Sequence, residues 1–218
     1  MESIKKLKEF LLNNYGGLDV LVNNAGVSFK DAEFPIQAEV NVKTNFYGVK
    51  NTCDLLFPIL KNGARVVNLA SSSGWLSKKI GGSEKSDALK AKFADSGKTL
   101  SVKELEDLMT SFISSAKVGK HLDEGWPSSA YAVSKIGLSA LTRIQQQEFD
   151  KNPNTDFVVN HAHPGWVSTD LTKHKGPLSI KEGAKSSIYC ALLPTKTEIR
   201  GCYVWEDCSV VDLSLIHI

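Results

Sequence analysis

The sequence predicts an α/β protein organised as a doubly wound parallel sheet, and three observations carry that prediction. Short apolar runs within Leu18 to Asn23, Arg65 to Ala70 and Phe157 to Ala162 have the pattern of strands covered on both faces. Longer stretches with apolar residues at helical spacing separate them. Each strand runs into a cluster of turn formers, so their carboxyl ends gather on one edge, where open α/β sheets bind ligands.

The elements follow in order. Ile4, Leu7, Phe10 and Leu11 recur at helical spacing, and Gly16-Gly17 stops that helix. The first strand, Leu18 to Asn23, ends in Asn23-Asn24-Ala25-Gly26. From Glu39 to Lys61 the positions Val42, Phe46, Val49, Cys53, Leu56 and Leu60 step by four and three, which predicts one long amphipathic helix closed by Gly63. Asn45 inside it reads, on pattern alone, as a solvated surface residue. The second strand, Arg65 to Ala70, enters the Ser71-Ser72-Ser73-Gly74 turn.

Residues 76–128 interrupt the alternation with a charge-rich segment, read as an insertion within a single domain spanning 1–218. Ser101-x-x-Glu104 is a capping box, and Leu105, Leu108, Met109, Phe112 and Ile113 give the helix after it an apolar stripe that ends near Gly119. Lys78, Lys79 and Lys85 read as solvated charges. Ser128 or Ser129 caps a helix running to about Phe149, and Asn152-Pro153-Asn154 turns the chain into the third strand. A last helix from about Lys181 to Leu193 and a short strand from Cys202 to Trp205 complete the reading; the final Ser-Leu-Ile-His-Ile has no assignment.

Composition narrows the function classes. The chain has 218 residues, of which 42% are apolar, enough for a sizeable core. Its 26 basic and 24 acidic residues nearly cancel, and no basic run is interleaved with aromatics, which argues against nucleic acid as a partner. No stretch approaches the ~20 apolar residues of a membrane span, and the amino-terminal residues read as amphipathic helix, so the cytoplasm is the expected location. Cys53, Cys190, Cys202 and Cys208 lack ligand-like spacing and read as reduced, mostly buried thiols; no metal site is expected.

The chemistry centres on Tyr131 and Lys135, four residues apart and therefore on one helix face. A free phenol has a pKa near ~10, and a nearby ammonium favours the phenolate, so the pair suits acid/base work. The Asn24, Ser71 and Pro164-Gly165 turns lie at the strand carboxyl ends, and the Tyr131 helix starts after the second of them. One edge thus collects the candidate groups.

These residues resemble a family. Asn23-Asn24-Ala25-Gly26, the serine ending Val67-Asn68-Leu69-Ala70-Ser71, Tyr131-x-x-x-Lys135 and Pro164-Gly165-x-x-x-Thr169 match, in order and roughly in spacing, motifs of the short-chain dehydrogenases/reductases. Ile36-Gln37-Ala38-Glu39, Lys43-Thr44-Asn45-Phe46, Glu124 to Tyr131 and the insertion look more specifically like the NADPH-dependent carbonyl reductases; the resemblance covers nearly the whole chain and fades after Asp207. It implies a Rossmann-like fold and reduction of aldehydes, ketones or quinones by hydride transfer from NADPH. It also implies that Tyr131 protonates the carbonyl oxygen, that Lys135 holds the cofactor ribose and lowers the tyrosine pKa, and that Asn45 positions a relay water. Ser71 hydrogen-bonds the substrate oxygen; Ser72 is an alternative, and Ser71 keeps the family register. Asn24, Val167, Ser168 and Thr169 join Tyr131 and Lys135 in binding the cofactor, and Trp166 walls the substrate pocket. Phe29, Lys30 and Gln37 match glutathione-binding positions, which admits glutathione-conjugated carbonyls, while a plain surface loop reads equally well there. The insertion implies a monomer.

One family motif is absent from these 218 residues: the Thr-Gly-x-x-x-Gly-x-Gly loop that bears the pyrophosphate. By resemblance, Met1 falls in the helix before the family's fourth strand, roughly sixty to seventy residues into the domain, so the expectation is an N-terminally truncated sheet. The strand Leu18 to Asn23 then becomes an edge, and weak stability follows. A second function class stays open, a catalytically silent relative that binds a partner or nothing.

Overall fold

The computed structural model describes residues 1–76 and 80–212; Lys78, Lys79 and the terminal Ser-Leu-Ile-His-Ile fall outside the described residues. Helix α1 (Glu2–Tyr15) ends at Gly16, whose φ of 69° turns the chain left-handed and lets its N–H bond Leu12 O. Strand β1 (Leu18–Asn23) has the expected bounds.

The next helical stretch departs from expectation. It starts at Phe34, with Pro35 in its first turn, and runs as α2 (Phe34–Val42), a π-helical turn (Lys43–Tyr47), α3 (Gly48–Leu56) and a 3₁₀ turn (Phe57–Ile59). Leu60 and Lys61 already belong to β2 (Leu60–Leu69), and Gly63, at φ 90°, lies inside that strand rather than closing the helix. There the pairing slips from Leu18–Leu60 to Val20–Arg65, an irregularity that a left-handed glycine permits. Leu56 and Leu60 preserve the helical period in sequence, but Pro58, with no N–H to donate, ends the helix between them.

In the 76–128 segment, α4 (Glu84–Ala94) and α5 (Val102–Lys117) form, the latter on the Ser101–Glu104 capping box, with Gly119 at φ 71° just beyond it. Phe93, Leu105, Met109 and Phe112 pack with Val42, Phe46, Val133 and Ile136 in one buried cluster. Lys85 is exposed and donates to Asp123 O at 3.0 Å. Helix α6 (Ala130–Asp150) is capped by the Ser129 hydroxyl and leads to β3 (Val158–Ala162). The expected last helix is divided at Ala184 into α7 (Ile180–Gly183) and α8 (Lys185–Ala191). Strand β4 (Tyr203–Val204) is followed by β5 (Val210–Val211), which the sequence reading missed because it is only two residues long.

The sheet order is β1-β2-β3-β4-β5, parallel through β4 and antiparallel at β5. On one face Leu21 packs with Val49 and Cys53 of α3 and Leu138 of α6; on the other, Cys190 of α8 meets Val67, Leu69, Ala162 and Val204. All four cysteines are free, with Cys53 and Cys190 buried. Among the described residues no helix is long and apolar enough to cross a membrane.

Strand β1 pairs only with β2 among the described residues. As expected for a strand left at the edge, Val20 and Val22 are 38% and 43% exposed. An apolar edge of this kind templates association. Val20→Lys is expected to leave the denaturation midpoint of the 218-residue chain nearly unchanged, within ~0.5 kcal/mol, while suppressing its aggregation in light scattering. Equal aggregation of the two chains would show that β1 is not the sticky edge.

Candidate active site

Three local structures, the 3₁₀ turn after β2, the start of α6 and the π-helical turn, bring the site together at the carboxyl ends of the strands. Ser71 leaves β2 and caps a 3₁₀ turn (Ser72–Gly74), its Oγ accepting the Ser73 N–H at 3.1 Å. Tyr131, on the first turn of α6, lines the same two cavities as Ser71. One turn further along α6, buried Lys135 donates from Nζ to Leu69 O at 2.6 Å, and that nitrogen lies 5.8 Å from the Tyr131 ring centre.

Asn45 is fully buried, not solvated as its position in the helical pattern suggests. The π-helical turn is the reason: it inserts an extra residue, so that Asn45 and Phe46 both face inward. The Asn45 amide clamps the Val27 backbone, accepting its N–H and donating to its carbonyl, both at 2.8 Å, and donates to Ser134 Oγ at 2.9 Å. Both amide protons are thus engaged, and one lone pair of Oδ1 is left over.

Burial pushes the Tyr131 phenol above its ordinary value, and the Ser71 hydroxyl pulls only partly against it. Burial also brings the Lys135 ammonium down to about 8, and its Nζ donates to Leu69 O.

Two adjoining cavities share Ser71, Tyr131, His163 and Gly165. The first, about 560 Å³, is lined by Val22, Asn24, Gly26, Lys135, Val167 and Thr169 among others, with α7 and α8 forming its apolar wall. The second, about 620 Å³, takes in Lys30, Ser72, Trp166, Lys173 and Glu206. Most of the expected residues therefore converge. Ser168 lines neither cavity; its N–H pairs with Leu178 O at 2.8 Å. Phe29 and Gln37 also stand outside. Asn41 holds both backbone groups of Phe29, and the Gln37 amide donates to Lys30 O and Ala32 O, closing the loop on itself. Ser72 faces only the second cavity and uses its backbone N–H on His163. His163 lines both cavities but had no place in the sequence reading; its position at the carboxyl end of the third strand was the available signal. Among the described residues no group of three or more His, Cys, Asp or Glu could hold a metal ion.

A family model described as short chain dehydrogenase matches residues 1–83. Carbonyl reductase (NADPH) 1 of Rattus norvegicus is 45% identical over 201 residues, covering 90% of this chain and 70% of that protein. The chain belongs to the short-chain dehydrogenase family. The Homo sapiens protein of the same name is 44% identical over 202 residues, 91% of this chain and 71% of its own length. Among solved structures of short-chain dehydrogenase fold, salutaridine reductase from Papaver somniferum superposes with a TM-score of 0.79 at 26% identity, over 95% of this chain and 78% of that one. Menthone neomenthol reductase from Mentha piperita gives 0.74 at 26%, over 94% and 76%. The doubly wound α/β fold expected from the sequence is thus the family fold, and the Ser71, Tyr131 and Lys135 cluster lies where a short-chain dehydrogenase sheet presents its strand ends.

Proposed function

We propose that this chain reduces aldehydes, ketones or quinones to alcohols with NADPH as the hydride donor. The observation that carries the reading is the meeting of Ser71 and Tyr131 at the junction of two cavities, with the Lys135 ammonium buried one helical turn behind the phenol. The 45% identity to an NADPH carbonyl reductase supports it.

The residues present fit the nicotinamide and ribose end of such a cofactor. Gly26 leaves open space beside Lys135: a Cβ there would stand 3.2 Å from Asn45 Oδ1 and 3.6 Å from Lys135 Nζ. Leu69 O is the acceptor the structure gives Lys135, and a buried ammonium has protons to spare for ribose hydroxyls. Asn24, Val167 and Thr169 line the same cavity, and Ser168 supports them through its backbone.

When bound, the cofactor supplies the hydride. The chain's own residues manage the charge that develops on the substrate oxygen. Ser71 Oγ and the Tyr131 phenol are donors already in place, which removes the cost of reorganising them. Tyr131 gives its proton to that oxygen, and its burial, by keeping the phenol protonated, favours the donor role. Lys135 positions the ribose, Asn45 offers its remaining lone pair to a relay water, and Trp166, 57% exposed, walls the substrate side.

The substrate is a small-molecule carbonyl compound. Glutathione conjugates enter this reading through Lys30, which reaches the second cavity, while Phe29 and Gln37 stand outside it. We read the chain as one partial family domain with 76–128 as its insertion, and as a monomer, because α4 and α5 pack onto the α6 side of the molecule. Four free thiols suit a reducing compartment such as the cytoplasm.

NADPH titration followed by fluorescence, with carbonyl-dependent oxidation of the cofactor, tests the proposal. Ser71→Ala is expected to lower kcat by ~10²-fold with little change in NADPH affinity, because the hydroxyl acts on the reacting oxygen. Absence of NADPH binding at millimolar cofactor would overturn the reading for this chain.

A further inference from the structure

His163 has no part in the proton transfer described above, yet it stands in both cavities beside Ser71 and Tyr131. Its ring is fixed. Nδ1 accepts the Ser72 N–H at 3.3 Å, the Trp205 ring lies against it with centres 4.3 Å apart, and Ser186 Oγ donates to its carbonyl at 2.9 Å. With Nδ1 occupied as an acceptor, the neutral ring carries its proton on Nε2. Burial holds the imidazole down at about 4, so the neutral form prevails at pH 7.

Nε2 faces Glu206 Oε2 across 3.6 Å, too far for a direct hydrogen bond. The Glu206 side chain is 38% exposed, and among the described residues its carboxylate takes no hydrogen bond. It reaches the cavity by lying over Gly165: at φ 80° that residue has no Cβ, and one placed there would meet Oε2 at 2.4 Å. A donor and an acceptor thus border one cavity at a separation that a single oxygen atom bridges. A carbonyl oxygen would satisfy only the N–H, and an ammonium only the carboxylate. A hydroxyl satisfies both.

We propose that His163 and Glu206 form a subsite that reads a hydroxyl group carried beside the reacting carbonyl, making hydroxyketones and hydroxyaldehydes the preferred substrates. The inference rests on the carbonyl-reducing reading and adds the substrate class to it. Ser71 and Tyr131 take the reacting oxygen, and the His163–Glu206 pair takes the second one in the cavity they share.

The test compares 1-hydroxy-2-butanone and 4-hydroxy-2-butanone with 2-butanone on the 218-residue chain. Binding is followed by the imidazole nitrogen signals of His163, assigned by their loss in His163→Phe. At least one hydroxyketone is expected to move the Nε2 signal at about tenfold lower concentration than 2-butanone, and Glu206→Ala to erase the difference. Equal shifts with all three ketones, or none with any, overturn the inference. Turnover with NADPH is scored separately, as the ratio of kcat/KM for hydroxyketone over 2-butanone within each variant. That ratio is expected near tenfold in the parent chain and near one in both variants. Reduction of 2-butanone without a hydroxyl preference keeps the carbonyl reading and overturns the subsite. A hydroxyl preference at His163 with no turnover of any ketone overturns the carbonyl reading and leaves the hydroxyl subsite standing.

Discussion

Tyr131→Phe is expected to lower carbonyl-dependent NADPH oxidation by ~10²- to 10⁴-fold, the range for losing a general acid. The change removes one hydroxyl and no packing. Ser71 Oγ keeps its bond from the Ser73 N–H, so the 3₁₀ turn stays capped. The fold is therefore expected to survive, with near-parental circular dichroism and NADPH affinity, because Lys135, Gly26 and Thr169 line the cofactor cavity independently. A fall in kcat without a fall in affinity identifies a group acting on the reacting oxygen. Retention of more than a tenth of the parental rate would remove Tyr131 from the proton transfer and leave Ser71 as the remaining donor.

The same residue marks how far the sequence could be read. The four-residue spacing of Tyr131 and Lys135 placed both on one helix face, and the turns at Asn24, Ser71 and Pro164-Gly165 fixed the edge they meet, because strand direction in a parallel sheet is set by the alternation itself. Their burial was not legible. It shifts both the phenol and the ammonium toward their neutral forms, and the partner of Lys135, Leu69 O, lies 66 residues away in sequence. Asn45 shows the same limit from the other direction. Its period placed it on a solvated helix face, and one π-helical turn carried it into the core against Val27 and Ser134.

Elements failed where local signals were short or in conflict. The helix end was missed because Leu60 fits a helical period while Pro58 and the left-handed Gly63 belong to the approach of a strand. Strand β5 carries two residues and draws its stability from pairing with β4, which no local pattern reports. His163 passed unnoticed because a histidine after an apolar run is usually a packed core residue; only the third dimension brings Ser72, Trp205 and Glu206 around it.

The largest expected effect on stability comes from Arg65, at the opposite end of the sheet from the site. Arg65 lies in β2 and is only 4% exposed. Its five N–H groups are spent on Leu193 O at 3.0 Å, Pro194 O at 2.6 Å, Asp156 O at 2.8 Å, Gly63 O at 2.9 Å and the Asp156 carboxylate at 3.0 Å. It therefore ties the start of β2 to the turn before β3 and to the segment after α8. Arg65→Met fills much of the volume but leaves those carbonyls without donors, and a loss of ~3 to 5 kcal/mol is expected. Against a typical margin of ~5 to 15 kcal/mol, such a loss removes at least about a fifth of the stability. Arg65→Lys, with three donors on a point charge, recovers part of the loss. Asp156 adds a pH signature. Its burial works against the charge, but the Lys196 N–H, Arg65 and Arg200 outweigh it and hold the carboxyl below the usual range. A carboxylate depressed in the folded state stabilises the fold above its unfolded value of ~3.9, and that contribution is lost as pH falls through the lower folded value. Urea titrations should thus show the gap between the parent and Arg65→Met narrowing below pH 4. A gap under 1 kcal/mol at pH 7 would mean that water replaces the guanidinium at the strand ends and that the sheet is held elsewhere.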